Sequence, residues 1–324
     1  MKIVKNLTKR DIDILYNLYR YRTLSIDQIK RLYFVEKPGY AYRKLYLMKK
    51  AGLVESKQMV ALKNGKGGCY FITEKGIDIL EEHKLTDKRR RARDNKVENN
   101  SLAHFIEIND LLIELSNYLW SFIPSREVKE KRGMNRSALV KGALVDQDNK
   151  EYVLYLLEND SKEETIERIV NEIRTHSFSD CLILCKGQES YKKLKPAIKT
   201  VAVAGTLNIL PYHFALRTLK QINGETSFVK IFTKYGEVTP IDSVNGFAKY
   251  IVDHHGKKKY IANYLFGDQM MLYFLELYTY DKYLMDGKEV LLFAWGGQVE
   301  ELDNMFSQYP HIEIVVQRHG QVIF

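Results

Sequence analysis

The chain has little with which to cross-link or anchor itself. Its 324 residues include only three cysteines, six prolines and two tryptophans. Cys69, Cys181 and Cys185 are odd in number and lack the two-residue spacing of a zinc knuckle or redox pair, so they read as reduced thiols rather than a disulfide framework. No apolar run reaches the ~18 residues that would span a bilayer. The opening Met1-Lys2-Ile3-Val4-Lys5-Asn6 has no apolar signal region, so a soluble cytoplasmic protein with no membrane partner is expected. No repeat of fixed period is visible.

What is abundant is positive charge, and it is unevenly placed. Residues 1–100 carry 24 Lys and Arg against 12 Asp and Glu, whereas the other 224 residues carry 26 against 29. A basic front joined to a nearly neutral body is the balance of a polyanion-binding module on a larger globular chain, for which the length predicts two or three domains.

Helix signals crowd the front third. Thr8-Lys9-Arg10-Asp11 opens like a capping box, and Ile12, Leu15, Tyr16 and Tyr19 follow the spacing of one buried helical face. Ser25-Ile26-Asp27-Gln28 repeats the capping logic and starts a second short helix after a tight turn. Pro38 suits the first turn of a third helix, which Gly52 ends. Phased at about 100° per residue, that helix puts Ala41, Leu45 and Met48 on one face and Tyr40, Arg43, Tyr46, Leu47 and Lys50 on the other. The second face is the candidate recognition surface, of a width that fits a major groove.

Leu53 to Leu62 and Cys69 to Ile72 then read as two strands joined by the glycine-rich Lys63–Gly68, with Lys63 and Lys66 at its tip, and a helix from Thr73 to His83 follows. This order is that of a winged helix-turn-helix. The glycine-rich tip lacks the Gly-Lys-Ser/Thr ending of a nucleotide-binding loop, and no cofactor is expected. Residues 84–100, with Arg89, Arg90 and Arg91, hold too few apolar side chains for a core face and read as a linker or solvated basic arm. A helical stripe follows from Ser101 to Trp120, then a loop through Gly133, and then a βαβ-like stretch with strands at 152–157 and 181–184 around a helix at 162–176. The chain closes with a strand at 290–294, a helix at 299–307 and a strand at 312–317.

These segments resemble the replication-relaxation family of plasmids and other mobile elements. The resemblance rests on Leu7-Thr8-Lys9-Arg10-Asp11, Leu53-Val54-Glu55, Tyr70-Phe71-Ile72-Thr73-Glu74-Lys75-Gly76, Leu102-Ala103-His104-Phe105-Ile106-Glu107-Ile108-Asn109-Asp110 and Leu156-Leu157-Glu158-Asn159-Asp160, and covers residues 7 to about 200. It implies a role in replication, transfer or their regulation, and no established reaction.

Glu158 and Asp160, two residues apart at a strand end, could hold Mg²⁺ or Mn²⁺ with Asp146 one hairpin earlier. That layout looks like a restriction-endonuclease-like core, but Asp160 stands where a lysine is expected, and Val140-Lys141-Gly142 where relatives show Pro-Asp. A structural reading is also open, because Ser161-x-x-Glu164 is a capping box and Asp160 suits the positive end of the helix that follows. His254-His255, followed by Gly256 and three lysines, reads as a basic loop. The stretch Tyr260 to Tyr283 reads as core or as a dimer surface.

The expected fold is α+β, with a winged helix-turn-helix at 1–85, a basic linker and long helix at 86–122, a central α/β domain resembling a degenerate nuclease core at 123–222, and a C-terminal α/β extension at 223–324 that could mediate oligomerisation. The expected partners are double-stranded DNA and further copies of the chain, as homodimer or higher homo-oligomer. Two other functions stay open: a nuclease using Asp146, Glu158 and Asp160, and a transcriptional regulator that responds to a ligand or peptide.

Overall fold

The computed structural model describes residues 7–58, 68–86, 90–176, 178–199, 201–242 and 245–319. The chain divides into two compact units, residues 1–114 and 115–324.

The first unit begins with helix α1 (Lys9–Tyr21), strand β1 (Leu24–Ser25) and helices α2 (Ile26–Tyr33) and α3 (Tyr40–Lys50). Strands β2 (Val54–Gln58) and β3 (Gly68–Ile72) and helices α4 (Glu74–Glu82), α5 (Ala92–Asn95) and α6 (Asn99–Ser116) follow, and the boundary between the units falls inside α6. Both expected capping boxes form: the Thr8 amide donates to Asp11 Oδ2 at 2.8 Å, and Ser25 and Gln28 exchange hydrogen bonds of 2.9 and 3.1 Å. The three strands make an antiparallel sheet in the order β1-β3-β2. Ile14, Leu15, Leu18, Leu24, Ile29, Ala41, Leu45, Ile77 and Leu80 form one core beneath it.

Two features of this unit were not expected. Residues 84–100 are not wholly a solvated arm, because Asn95 and Val97 are buried and Val97 packs with Cys69, Phe71, Leu102 and Ile106. The carbonyls of Asn95 and Lys96 accept from Arg22, which also lies over the Phe105 ring. The polar residues of the α6 motif also have structural work. Asn109 donates to the Thr23 carbonyl at 2.7 Å, Gln28 donates to the Ile106 carbonyl at 2.6 Å, and Asp110 pairs with Arg31. Gln28 and Asn109 are buried, so these bonds satisfy groups that would otherwise cost about 1–3 kcal/mol each.

The second unit holds two five-stranded sheets. The first comprises β4 (Ser121–Pro124), helix α7 (Ser125–Lys131), β5 (Gly142–Val145), β6 (Glu151–Leu157), helix α8 (Glu163–His176), β7 (Cys181–Cys185), helix α9 (Gln188–Ile198) and β8 (Leu207–Pro211). The expected loop through Gly133 is therefore a strand and a helix; Val128 is the one buried residue of α7, too little for a periodic signal. Helices α10 (Tyr212–Gln221) and α11 (Glu225–Phe232) lead to the second sheet: β9 (Glu237–Pro240), β10 (Ala248–His254), β11 (Lys257–Asn263), helices α12 (Gln269–Glu276) and α13 (Tyr280–Asp286), β12 (Val290–Trp295), helix α14 (Val299–Phe306) and β13 (Ile312–Gln317). His255 and Gly256, both at positive φ, form the tight turn between β10 and β11, so His254-His255 belongs to a hairpin and not to a long basic loop.

The two sheets repeat one topology. Their orders are β4-β5-β6-β7-β8 and β9-β10-β11-β12-β13, in each case with the first three strands antiparallel and the last three parallel. In each, helices connect the third strand to the fourth and the fourth to the fifth.

They are joined at the β8 edge. The Ile209 amide donates to the Gly267 carbonyl at 3.1 Å, the Leu207 amide donates to Asp268 Oδ1 at 3.0 Å, and that same oxygen accepts from the Met270 amide at 3.0 Å to cap α12. Asp268→Ala would remove both side-chain bonds at once and is expected to destabilise the protein by ~2–3 kcal/mol. Urea unfolding followed by circular dichroism measures this, and an unchanged midpoint would contradict the role assigned to Asp268.

Candidate nucleic-acid interface

Helix α3 forms because Ala41, Leu45 and Met48 recur at helical spacing and are buried against the first unit's core. Gly39 and Ala51 flank it, and Gly52 at φ 74° turns the chain into β2. Its orientation is fixed from two sides. Lys44 Nζ lies 2.7 Å from Asp11 Oδ2, whose side chain is fully buried, so the acid that caps α1 also holds α3. On the other side Tyr42 accepts from Lys30 at 3.0 Å, with the same ammonium 4.5 Å from the ring centroid.

The outer face left by this packing carries the residues the periodicity selected. Tyr40 and Tyr46 are 46% and 63% exposed, and Arg43, Leu47 and Lys50 are exposed beside them. Neither Arg43 nor Lys50 has a hydrogen-bond or ion-pair partner among the described residues. Arg10 joins this end of the helix: its guanidinium lies 5.1 Å from the Phe34 ring, which in turn sits 6.0 Å from Tyr40. Sequence periodicity could not select Arg10, because α1 alone does not show that its first turn reaches the start of α3.

Lys63, Lys66 and Arg89 lie outside the described residues. Arg91 is exposed and precedes α5, which is held to the unit by the Ala92 amide donating to Glu74 at 2.9 Å. Arg90 is half-buried.

The three carboxylates behave otherwise than their spacing suggested. Asp146 sits in the β5–β6 turn, where its Oδ1 accepts from the amides of Asp148 (3.0 Å) and Lys150 (2.8 Å). It pairs across the turn with Lys150, eight residues along from Glu158, which puts the two acids on the order of 25 Å apart at opposite ends of β6. Asp146 is therefore too far from Glu158 and Asp160 for the three to hold one ion, the arrangement that the alternative nuclease reading required. Glu158 and Asp160 also lie in the turn after β6 rather than on the strand. Asp160 is exposed, and helix α8 starts at Glu163 with the Lys162 carbonyl taking its first bonds.

Around Glu158 the chemistry is that of ammonium groups. Both its oxygens accept from Lys186, at 2.6 and 2.7 Å. Lys141, anchored by its amide to the Leu154 carbonyl at 2.8 Å, is pushed down to about 8, mainly by burial and further by Lys129, while Glu158 and Glu172 pull the other way. A cavity of about 310 Å³ lies nearby on α8, lined by Asn135, Ser137, Arg168, Asn171, Glu172 and His176. Two of its polar groups are already engaged, Arg168 with the Ser137 carbonyl and Glu172 with the Leu139 amide.

Because Lys141 holds its proton less firmly in the folded chain than its ordinary value of 10.5, the unfolded state binds more protons between about pH 8 and 10.5. Stability attributable to this residue therefore rises with pH across that window. Lys141→Met is expected to be more stable than wild type at pH 7, with the gap narrowing toward pH 10, in parallel urea titrations. A gap independent of pH would contradict the assignment.

The family model of replication-relaxation proteins matches residues 15–177, half of the chain. No curated protein matches, and no solved structure does. No helix among the described residues is long and apolar enough to cross a membrane.

Proposed function

The chain belongs to the replication-relaxation family, and from that premise we propose that it binds a specific duplex site on a plasmid or phage genome, in replication initiation, transfer or their regulation, through a winged helix in its first unit. One observation carries this reading above the others: α3 is clamped through Lys44 and Tyr42, while Arg43, Tyr46 and Lys50 point away from the core. A rigid helix with unengaged cations and aromatic rings on its outer face is suited to base edges and phosphates. The antiparallel β2–β3 pair, whose connecting residues include Lys63 and Lys66, fits the role of the wing. Arg10 and Arg91 would add phosphate contacts.

The bound site would be found by footprinting the parent replicon, and affinity then followed by fluorescence anisotropy over a range of salt. Arg43→Ala and Lys50→Ala are each expected to weaken specific binding by ~1–3 kcal/mol with the fold intact. Lys63→Ala and Lys66→Ala should weaken all sequences alike and reduce the salt slope by roughly one unit each. Wild-type affinity in both α3 variants would refute the docking.

The first sheet of the second unit fits a reading as a degenerate nuclease-like core, and the features around Glu158 favour binding over cutting. Lys186 neutralises Glu158, and Lys141, just ahead of β5, brings a positive charge where an acid would be needed to hold a divalent cation. Supercoiled plasmid carrying the site should stay intact with the protein and Mn²⁺, and binding should persist in EDTA. Nicking that disappears in Glu158→Ala would replace this reading with the enzymatic one.

A further inference from the structure

Lys141 is half-buried, yet among the described residues its ammonium has no hydrogen-bond or ion-pair partner. Two carboxylates stand close enough to act on its charge, and both are committed elsewhere. Glu158 gives both oxygens to Lys186, at 2.6 and 2.7 Å. Both oxygens of Glu172 accept from the Leu139 amide, at 2.8 and 3.0 Å, and one also accepts from the Tyr155 hydroxyl at 3.2 Å. A third ammonium, Lys129 of α7, acts on Lys141 with like charge while donating to the Arg136 carbonyl at 3.0 Å.

The main chain fixes where these lysines stand. The Lys141 amide donates to the Leu154 carbonyl at 2.8 Å and the Lys186 amide to the Leu157 carbonyl at 2.9 Å, so the two flank the last residues of β6 from either side. Lys141 lies ahead of β5 and Lys186 after β7, beyond the paired residues, so strand alternation does not assign them to opposite faces. The charge of Lys141 responds to Glu158 and Lys186 alike. Strands β6 and β7 are parallel, and the carboxyl ends of parallel strands are where α/β sheets collect ligands. Burial, and then Lys129, push Lys141 down to about 8. The chain carries this ammonium at a cost in stability, which is a mark of a functional group.

We propose that Lys141 and Lys186 bind a phosphate group at the carboxyl end of β6. A planar carboxylate in the place of Glu158 turns both oxygens to one lysine. A tetrahedral phosphate presents oxygens in several directions and can bridge ammonium groups held on either side of the strand. Free phosphate and the phosphates of a nucleic-acid backbone share this chemistry. The inference goes beyond duplex recognition by α3 and would stand if that recognition failed.

Isothermal titration of the full chain with inorganic phosphate, in EDTA at pH 7 and constant ionic strength, should show saturable binding. Lys141→Gln and Lys186→Gln are each expected to weaken it about tenfold. Glu158→Gln releases Lys186 and should tighten it roughly threefold, the opposite of what an acid needed to hold a metal would give. Circular dichroism would check the fold of each variant, and a footprint of the wild type needs no variant. Limited acylation read by mass spectrometry should find Lys141 and Lys186 protected by the ligand, while Lys192 and Lys193, exposed on α9, are labelled as before. Protection by phosphate alone identifies a free phosphate as the ligand, and protection by a short oligothymidylate identifies a nucleic-acid backbone. Protection by neither probe overturns the proposal, as does equal protection of Lys192 and Lys193. Phosphate binding that persists unchanged in Lys141→Gln, or that disappears in Glu158→Gln, overturns it too.

Discussion

A strand at the end of a sheet leaves main-chain donors and acceptors unpaired, and the second unit is organised around meeting that requirement at β8. The turn at Gly267 and Asp268 supplies a carbonyl to Ile209 and a carboxylate to Leu207. It can do so only because residue 267 has no side chain: its φ is 68°, and a Cβ there would stand 2.4 Å from the Ile209 carbonyl oxygen. Burial pushes the Asp268 carboxyl up, while the three amides it faces, Leu207, Met270 and Met271, oppose that by favouring the charged form. One turn therefore closes the first sheet and starts α12, whose Met271, Leu272 and Leu275 pack on the second. The same join is continued by aromatic contacts, from Trp120 to Tyr152, Phe266, Phe228, Phe232 and Phe293, with successive centroids between 4.7 and 6.4 Å apart.

How far the fold could be read from the sequence depends on how local its causes are. The ends of α1 and α2 were legible because Thr8, Asp11, Ser25 and Gln28 settle them within four residues. The inner face of α3 was legible because three apolar residues at helical spacing have one way to be buried together. Strands β4 and β5 are short and answer to partners some twenty residues away, so no local pattern marks them. The burial of Val97 depends on Phe71 and Ile106, one earlier in the chain and one later, and a window drawn on residues 84–100 sees only charge. The repeated topology was hidden for a further reason. Strand order and sense can persist while every side chain changes, since the hydrogen bonds that define them are made by the main chain.

The carboxylates show how spacing along a chain misleads. Asp146 and Glu158 are twelve residues apart with a hairpin turn between β5 and β6, and a hairpin folded at its midpoint would bring them level. The turn falls instead at residues 146–150, and Asp146 is part of it, satisfying the turn's own amides. The chain that runs beside the last residues of β6 then carries Lys141, next to Gly142, which faces Leu154, and its charge has the opposite sign. Comparing the two sheets at the same positions sharpens the contrast. Glu158 follows the third strand of the first sheet and Lys186 the fourth; Tyr264 and Gly296 hold those places in the second. The charged cluster thus belongs to one sheet only, and the shared topology does not require it.

The family match ends at residue 177, within a structure that does not end there. Strands β6, β7 and β8 are buried on both faces. One face packs on α8 and α9 through residues such as Tyr155, Ile166 and Leu194. The other carries Tyr152, Leu154, Leu182, Leu184 and Leu210, and the chain that covers it comes largely from beyond the matched segment: α10, whose Leu219 carbonyl accepts from Trp120 at 2.8 Å, and Phe266 against Tyr152. Parallel strands buried on both sides need both layers, because each exposed Leu would forfeit about 1.5–3 kcal/mol. Removing residues after 177 would also remove β7, the parallel hydrogen-bonding partner of β6, and leave Tyr152, Leu154 and Leu156 facing water. The segment that defines the family by sequence is accordingly shorter than the smallest piece that can bury its own sheet, and the second sheet, with its turn at 267–268, is part of what makes the first one stable.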